Sequence, residues 1–287
     1  MRKATIVFIN LLSRLPLSIL YTLSSCVLYP LARYLLRYRR GVVWKNLALA
    51  FPAKSDWERL RIEKTFYRHL CDVLVETAYM HRMSFEELQQ RFRWINLDEI
   101  MQDCIREHRA ALCYFAHYGN WEWAMGRLAP RSSVDTAFIY HQLHNETFNE
   151  WLLQTRSRFG CKPVNMEKAS ETINELKDKG MPYIVLAISD QLPKEQYVRH
   201  FHRFMGIKTK VLTGTEQLSR RFQMNVYYCR VEQEHRGYYT CRAERLSLPT
   251  TDADHPWPYT DAYFDLLQQQ LEQEPALWLW SHDRWRR

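Results

Sequence analysis

One short stretch of the sequence can move a proton: His117, then Tyr118, Gly119, Asn120 and Trp121, then Glu122. An imidazole titrates near neutral pH, and a carboxylate beside it orients the ring and stabilises the cation formed on proton capture. Such a pair is half of a proton-abstraction device. On spacing alone a structural histidine is an equal alternative, because H-x-x-x-x-E is a loose pattern. Cys113, four residues earlier, is the rival nucleophile. On a strand it shares a face with His117 but lies about 13 Å away at roughly 3.3 Å per residue, too far for activation, and is assigned to the core. There is no G-x-S-x-G elbow, no H-E-x-x-H or other close His/Cys/Asp cluster, and no phosphate loop or G-x-G-x-x-G. What remains is a base that deprotonates a substrate hydroxyl, which then attacks an activated acyl carbonyl without an acyl-enzyme. No metal and no cofactor is expected.

The elements around this pair follow from patterning. Ala110 to Ala116 is uncharged and lies between Arg109 and His117, which predicts a short buried strand with His117 at its carboxyl end. In open α/β sheets that end faces the ligand crevice. Gly119 allows a tight turn and Asn120 is a good helix cap, so Glu122 falls in the first turn of a helix. Ser55 and Glu58 form a capping box that opens a helix to about Met80. Further strands are expected at Val134 to Tyr140, Tyr183 to Ile188, Asn225 to Val231 and Gly237 to Ala243, with helices near 145–159, 169–179 and 213–222. Strands alternating with helices predict an α/β fold: a mostly parallel central sheet flanked by helices, an antiparallel edge from the last hairpin, and an amino-terminal apolar membrane helix.

That last element rests on charge and composition. Within the 287 residues and net charge of +8, nine Lys or Arg residues precede the first acidic residue, Asp56, so the remainder is close to neutral. Basic charge gathered at one end, without a zinc-finger, KH or RRM signature, points to anionic lipid rather than nucleic acid. Leu15 to Ala32 carries no charge, and as a helix of roughly 27 Å it is marginal against a hydrocarbon core of about 30 Å. The basic cluster Arg33, Arg37, Arg39 and Arg40 after it predicts a cytoplasmic carboxyl-terminal domain. The alternatives are a buried helix of the domain and a segment lying in the membrane surface. Seven scattered cysteines with no C-x-x-C suggest neither disulfides nor a zinc site, and a reducing compartment. The expected organisation is a membrane-anchoring segment at 1–40 and one catalytic domain at 41–287.

Five blocks resemble one family. His117 to Glu122 after an apolar strand is similar to the H-x-x-x-x-[DE] block of the lysophospholipid acyltransferase superfamily, in its lipid A biosynthesis branch. W44-K-N-L-A-L-A-F-P52, S189-D-Q191, F204-M-G206 with T213-G-T215, and L277-W-L-W-S-H-D-R-W285 resemble further blocks of that branch, in order. The resemblance implies that His117 is the general base and Glu122 its orienting partner. It implies an acyl-carrier-protein thioester as donor and a hydroxyl of a lipid A precursor as acceptor, at the inner membrane with the catalytic domain on the cytoplasmic side. Asn120, Arg156, Arg158 and Asp190 are the candidate substrate-binding residues, the arginines for an acceptor phosphate or the thioester carbonyl and Asp190 for shaping the site. Two blocks depart from the pattern: Y140-H-Q-L-H-N145 carries histidines where a basic residue and proline are common, and Asp190-Gln191 runs into L-P-K-E. Both departures leave room for another acceptor, such as a lysophospholipid, ornithine lipid or glycolipid.

Overall fold

A computed structural model describes residues 2–129, 133–247 and 255–286 of the chain. Seven strands form the central sheet: β1 (Phe92–Trp94), β2 (Ala111–Phe115), β3 (Asp135–Tyr140), β4 (Lys162–Asn165), β5 (Tyr183–Ile188), β8 (Asn225–His235) and β9 (Tyr238–Arg245), in the order β1-β9-β8-β2-β5-β3-β4. Between β5 and β8 the chain makes a separate hairpin, β6 (His200–Phe204) and β7 (Ile207–Val211). Only the β8–β9 pairing within the central sheet is antiparallel. It does not form the sheet edge expected of it, because β1 adds outside β9 in parallel. The three-residue β1 is too short to read from periodicity.

Strand β2 is buried along its whole length, as its uncharged composition requires. It lies between β5 and β8, and the chain leaves it toward β3, beyond β5. A strand flanked on both sides by parallel neighbours opens a crevice at its carboxyl end.

Helices cover the sheet: α1 (Arg2–Leu12), α2 (Leu17–Leu23), α3 (Arg40–Ala50), α4 (Asp56–Met80), α5 (Phe85–Arg91), α6 (Leu97–Glu107), α7 (Trp121–Arg127), α8 (Glu146–Ser157), α9 (Ala169–Asp178), α10 (Gly214–Arg221) and α11 (Pro258–Gln273). Helix α4 begins with the expected capping box. The Ser55 hydroxyl accepts the Glu58 amide and the Glu58 carboxylate accepts the Ser55 amide.

The amino-terminal region differs from the single apolar helix that its composition suggests. The Leu15 to Ala32 stretch contains α2 and then two π-helical turns, Ser24–Leu28 and Leu31–Leu35. Pro16 precedes α2 and Pro30 separates the π turns, consistent with proline's missing amide and its clash with the preceding turn. Among the described residues no single helix is long and apolar enough to cross a membrane. Leu17–Leu35 and Arg40–Ala50 reach that length and hydropathy only together, across an 82° bend.

The basic cluster also differs from expectation, because it is largely tied inward. Arg33 is buried and paired with Glu63 at 2.7 Å, Arg40 binds the same carboxylate at 3.0 Å, and Arg39 donates to the Ser281 carbonyl at 2.9 Å. Leu17, Leu20 and Tyr29 belong to the same buried apolar cluster as β2. Yet Val7, Phe8, Leu11, Ile19, Val27, Leu35 and Leu36 stay exposed, Leu35 by 75%.

Candidate active site

The site begins with a register. In the parallel pair β2–β5, Phe115 is opposite Ile188, so the residues two beyond each, His117 and Asp190, leave the sheet side by side. Asp190 accepts two bonds from His117: the ring Nδ1–H at 2.7 Å to Oδ1, and the backbone amide at 3.0 Å to Oδ2. The Trp278 indole N–H donates to Oδ2 at 2.7 Å. Burial pushes the Asp190 carboxyl up, but the adjacent imidazole and these three donors outweigh it and hold it below the usual carboxylate range. A carboxylate on Nδ1–H leaves Nε2 as the lone-pair nitrogen. The His117 side chain is 20% exposed, and its Nε2 meets the Gln191 amide nitrogen at 3.2 Å.

The turn after His117 is held from both sides. Gly119 has φ +59°, and a Cβ there would come within 2.7 Å of Val231 Cγ1, so glycine is required twice over. The Gly119 amide donates to the Leu277 carbonyl at 3.0 Å and the Leu279 amide donates to the His117 carbonyl at 3.0 Å. His69, kept neutral by burial that lowers it to about 4, places Nε2 3.1 Å from the Gly119 carbonyl.

Asn120 caps α7 by accepting the Trp123 amide at 2.8 Å, and its Nδ2 donates to Glu76 at 2.6 Å. It is fully buried. Both of its polar atoms are engaged inside the protein.

Glu122 lies in the first turn of α7, as its spacing predicts, but its carboxylate faces α8. Arg156 grips it with two parallel bonds of 2.6 Å, and the Trp121 indole donates at 3.0 Å. No hydrogen bond or ion pair among the described residues joins Glu122 to His117. The neighbouring strand delivers Asp190 to the ring, whereas the helix turns Glu122 toward Arg156. Trp121 sits between them, its ring edge-on to the imidazole with centroids 5.4 Å apart. The Arg158 guanidinium lies at the end of α4. Its Nη1 donates at 2.6 Å to the carbonyls of Met80 and Met83, where α4 ends.

The remaining sequence blocks converge on this point. Asn46 donates to the carbonyls of Trp280 and His282, His282 Nε2 accepts the Leu192 amide at 3.0 Å, and Ser189 and Thr215 join hydroxyls at 2.7 Å. Phe204 packs on Trp278 and Trp285. Arg284 is buried over the Phe264 ring, and burial pulls its guanidinium down to about 10 against the attraction of Asp190. Among the described residues, the nitrogens Nε, Nη1 and Nη2 of Arg284 have no hydrogen-bond partner.

Beyond this cluster, a cavity of about 560 Å³ opens past the carboxyl ends of β3 and β5. Ile139, Ala187, Ile188, Leu212, Thr215 and Leu218 line it, with Lys168, Arg199 and Arg221 also in the lining.

A profile of the bacterial lipid A biosynthesis acyltransferase family matches residues 3–287. The chain belongs to this family. Comparison with curated proteins finds no match. Family membership makes the chain an acyltransferase of the lipid A type, and it explains why blocks so far apart in sequence surround one histidine.

For this lipid A acyltransferase, sequence reasoning found His117 and the Asp190-Gln191 block but not their bond. Trp278 carries no role at that level, and Glu76 and His69 read there as ordinary helix residues. The available signal for the His–Asp bond was two uncharged strands, each ending two residues before a polar group. Using it required knowing that β2 and β5 are neighbours.

Proposed function

We propose that the chain transfers a fatty acyl group from an acyl-carrier-protein thioester to a hydroxyl of a lipid A precursor. The observation that carries this reading is the His117–Asp190 pair, with Asp190 on Nδ1 and the opposite nitrogen outward. The acceptor hydroxyl takes the place of the Gln191 amide at Nε2. As its oxygen attacks the thioester carbonyl, its proton passes to Nε2, and Asp190 stabilises the resulting imidazolium. Collapse of the tetrahedral adduct breaks the C–S bond, and the imidazolium returns the proton to the departing thiolate. The products are an ester and the free carrier thiol.

Glu122 and Arg156 form the wall beside the base and position the acceptor, with Arg156 Nη1 directed to its phosphate or to the thioester oxygen. The acyl chain lies in the mostly apolar cavity past β3 and β5. The exposed apolar side chains of α1, α2 and the π turns rest on the cytoplasmic leaflet of the inner membrane, bringing a lipid acceptor to the crevice. In this reading the anchoring role belongs to 1–40 and the chemistry to 41–287.

His117→Ala should lower acyl transfer by roughly two to four orders of magnitude, with the melting temperature and membrane association unchanged. Near-normal transfer by that variant would sink the assignment. Mass spectrometry of lipids from a deletion strain identifies the acceptor: lipid A lacking one acyl chain supports the reading, whereas intact lipid A with a changed phospholipid, ornithine lipid or glycolipid assigns the same chemistry elsewhere.

A further inference from the structure

Away from the acyl-transfer centre, the β6–β7 hairpin meets α11 through a set of ligand-type side chains. His200 and His202 are two apart on β6 and so point to one side of it. Asp261 and Asp265 are four apart on α11 and share its facing side. His200 Nε2 lies 2.7 Å and His202 Nδ1 2.9 Å from the same oxygen, Asp261 Oδ1. One ligand atom from each of these three residues lies within 4.8 Å of the others. The opposite nitrogen of His202, Nε2, is 2.8 Å from Asp265 Oδ1.

We propose that His200, His202 and Asp261 bind a divalent transition cation of the zinc class, with Asp265 holding His202 from behind. A neutral imidazole carries one N–H. Burial lowers His202, but Asp261 and Asp265 outweigh it and raise it toward the imidazolium, which carries an N–H for each carboxylate. In the neutral ring with Nε2–H on Asp265, Nδ1 presents a lone pair toward Asp261, and a cation there takes the place of the imidazolium proton. A cation set between Nδ1, His200 Nε2 and Asp261 Oδ1 satisfies all three lone pairs. The remaining carboxylate–histidine contact is then the outer partner that metal-bound histidines usually have. Two imidazoles and a carboxylate suit zinc rather than magnesium or calcium, and water completes the tetrahedron. Ligand atoms of such a site are roughly 3.3 Å apart for metal–ligand distances near 2.0–2.1 Å. The two contacts to Asp261, at 2.7 and 2.9 Å, therefore each lengthen by about half an ångström when the ion enters.

The fold gives such an ion something to hold. Among the described residues the hairpin is a two-stranded sheet whose strands pair with each other alone, an element of little stability by itself. Its strand β6 nevertheless ends in Phe204, which packs on Trp278, the residue that donates to Asp190. An ion at His200, His202 and Asp261 fastens the hairpin to α11. This revises the expectation, drawn from sequence spacing, that the chain binds no metal: H-x-H and D-x-x-x-D lie some 60 residues apart and only the fold unites them.

The test uses the full-length, detergent-solubilised protein without a histidine tag, stripped with chelator and titrated with ZnCl2 and separately with CoCl2. One equivalent of zinc should bind and raise the melting temperature, and the cobalt protein should show tetrahedral d–d bands without thiolate charge transfer. His202→Gln and Asp261→Asn should abolish the bound equivalent, and His235→Gln should retain it. Asp265→Asn keeps all three ligands, so it should fold normally and weaken zinc binding about tenfold or more. No stoichiometric ion on the folded wild-type protein, thiolate bands in the cobalt spectrum, or an affinity unchanged in Asp265→Asn would each overturn the proposal.

Discussion

Asp190 shows how much one side chain can set. Its Oδ1 fixes the tautomer of His117, and its Oδ2 is held by a backbone amide and by Trp278. Replacing it with asparagine keeps the shape but puts an amide that can donate where only an acceptor serves. Asp190→Asn should therefore cut turnover by about 10²- to 10⁴-fold with little change in KM for the acyl carrier protein, as steady-state kinetics will measure. Glu76 supplies a prediction of a different kind. It accepts from Tyr21, Asn120 and Tyr239, and burial raises it to about 7 from an ordinary value of 4.5, against those donors. Between those values the folded protein keeps a proton that an unfolded chain has released. The contribution to stability is thus complete below about pH 4.5 and is lost as pH rises to about 7. Thermal melts should fall across that window in the wild type and lose this slope in Glu76→Gln. At this scale the sequence identified His117 as a base candidate from its type and setting. The partner was not legible, because a carboxylate five residues away in the chain competes with one delivered by a neighbouring strand, and spacing cannot rank them.

At the scale of elements, the turn and the helix that follow β2 were readable. Gly119 adopts the positive φ its position demands and Asn120 caps α7. A Gly119→Ala variant combines left-handed strain of about 1–3 kcal/mol with a clash against Val231, and should lower the denaturant midpoint and activity together. Helix α8 was also legible, but not the fact that it packs on α7 through Arg156 and Glu122. Their side chains are 15% and 9% exposed, so removing one leaves the other poorly compensated. The destabilisations of Arg156→Leu and Glu122→Leu should sum to more than that of their double variant, because each single change leaves a poorly compensated charge. A double-mutant cycle in urea gives that coupling, expected at about 1–3 kcal/mol. The β6–β7 hairpin and β4 went unread because their strands are short and half exposed, which blurs the alternation that reveals a strand.

For the molecule as a whole, the sequence conveyed the α/β class through its alternation of uncharged runs and capped helices. It misled over the basic amino-terminal cluster: composition assigns Arg33 and Arg40 to lipid, whereas Glu63 takes both. What faces outward includes a run of apolar side chains beside the exposed Arg14 and Arg37, so vesicle association should depend more on hydrophobic contact than on charge. Replacing Phe8, Leu11, Leu35 and Leu36 by serine should sharply reduce co-sedimentation with phosphatidylglycerol vesicles, while raising salt should reduce wild-type binding only modestly.

The ties around Asp190 also set a timetable. His117 and Asp190 are 73 residues apart, and Trp278 follows Asp190 by a further 88. Translation delivers these three in that order, so a nascent chain carries its base long before the residues that make it one. Until residue 278 has left the ribosome, the segment that clasps the His117 turn does not exist. A partly synthesised chain can therefore already display its apolar amino-terminal face, yet transfer no acyl group: that face is complete early in synthesis, and the catalytic centre only at its end.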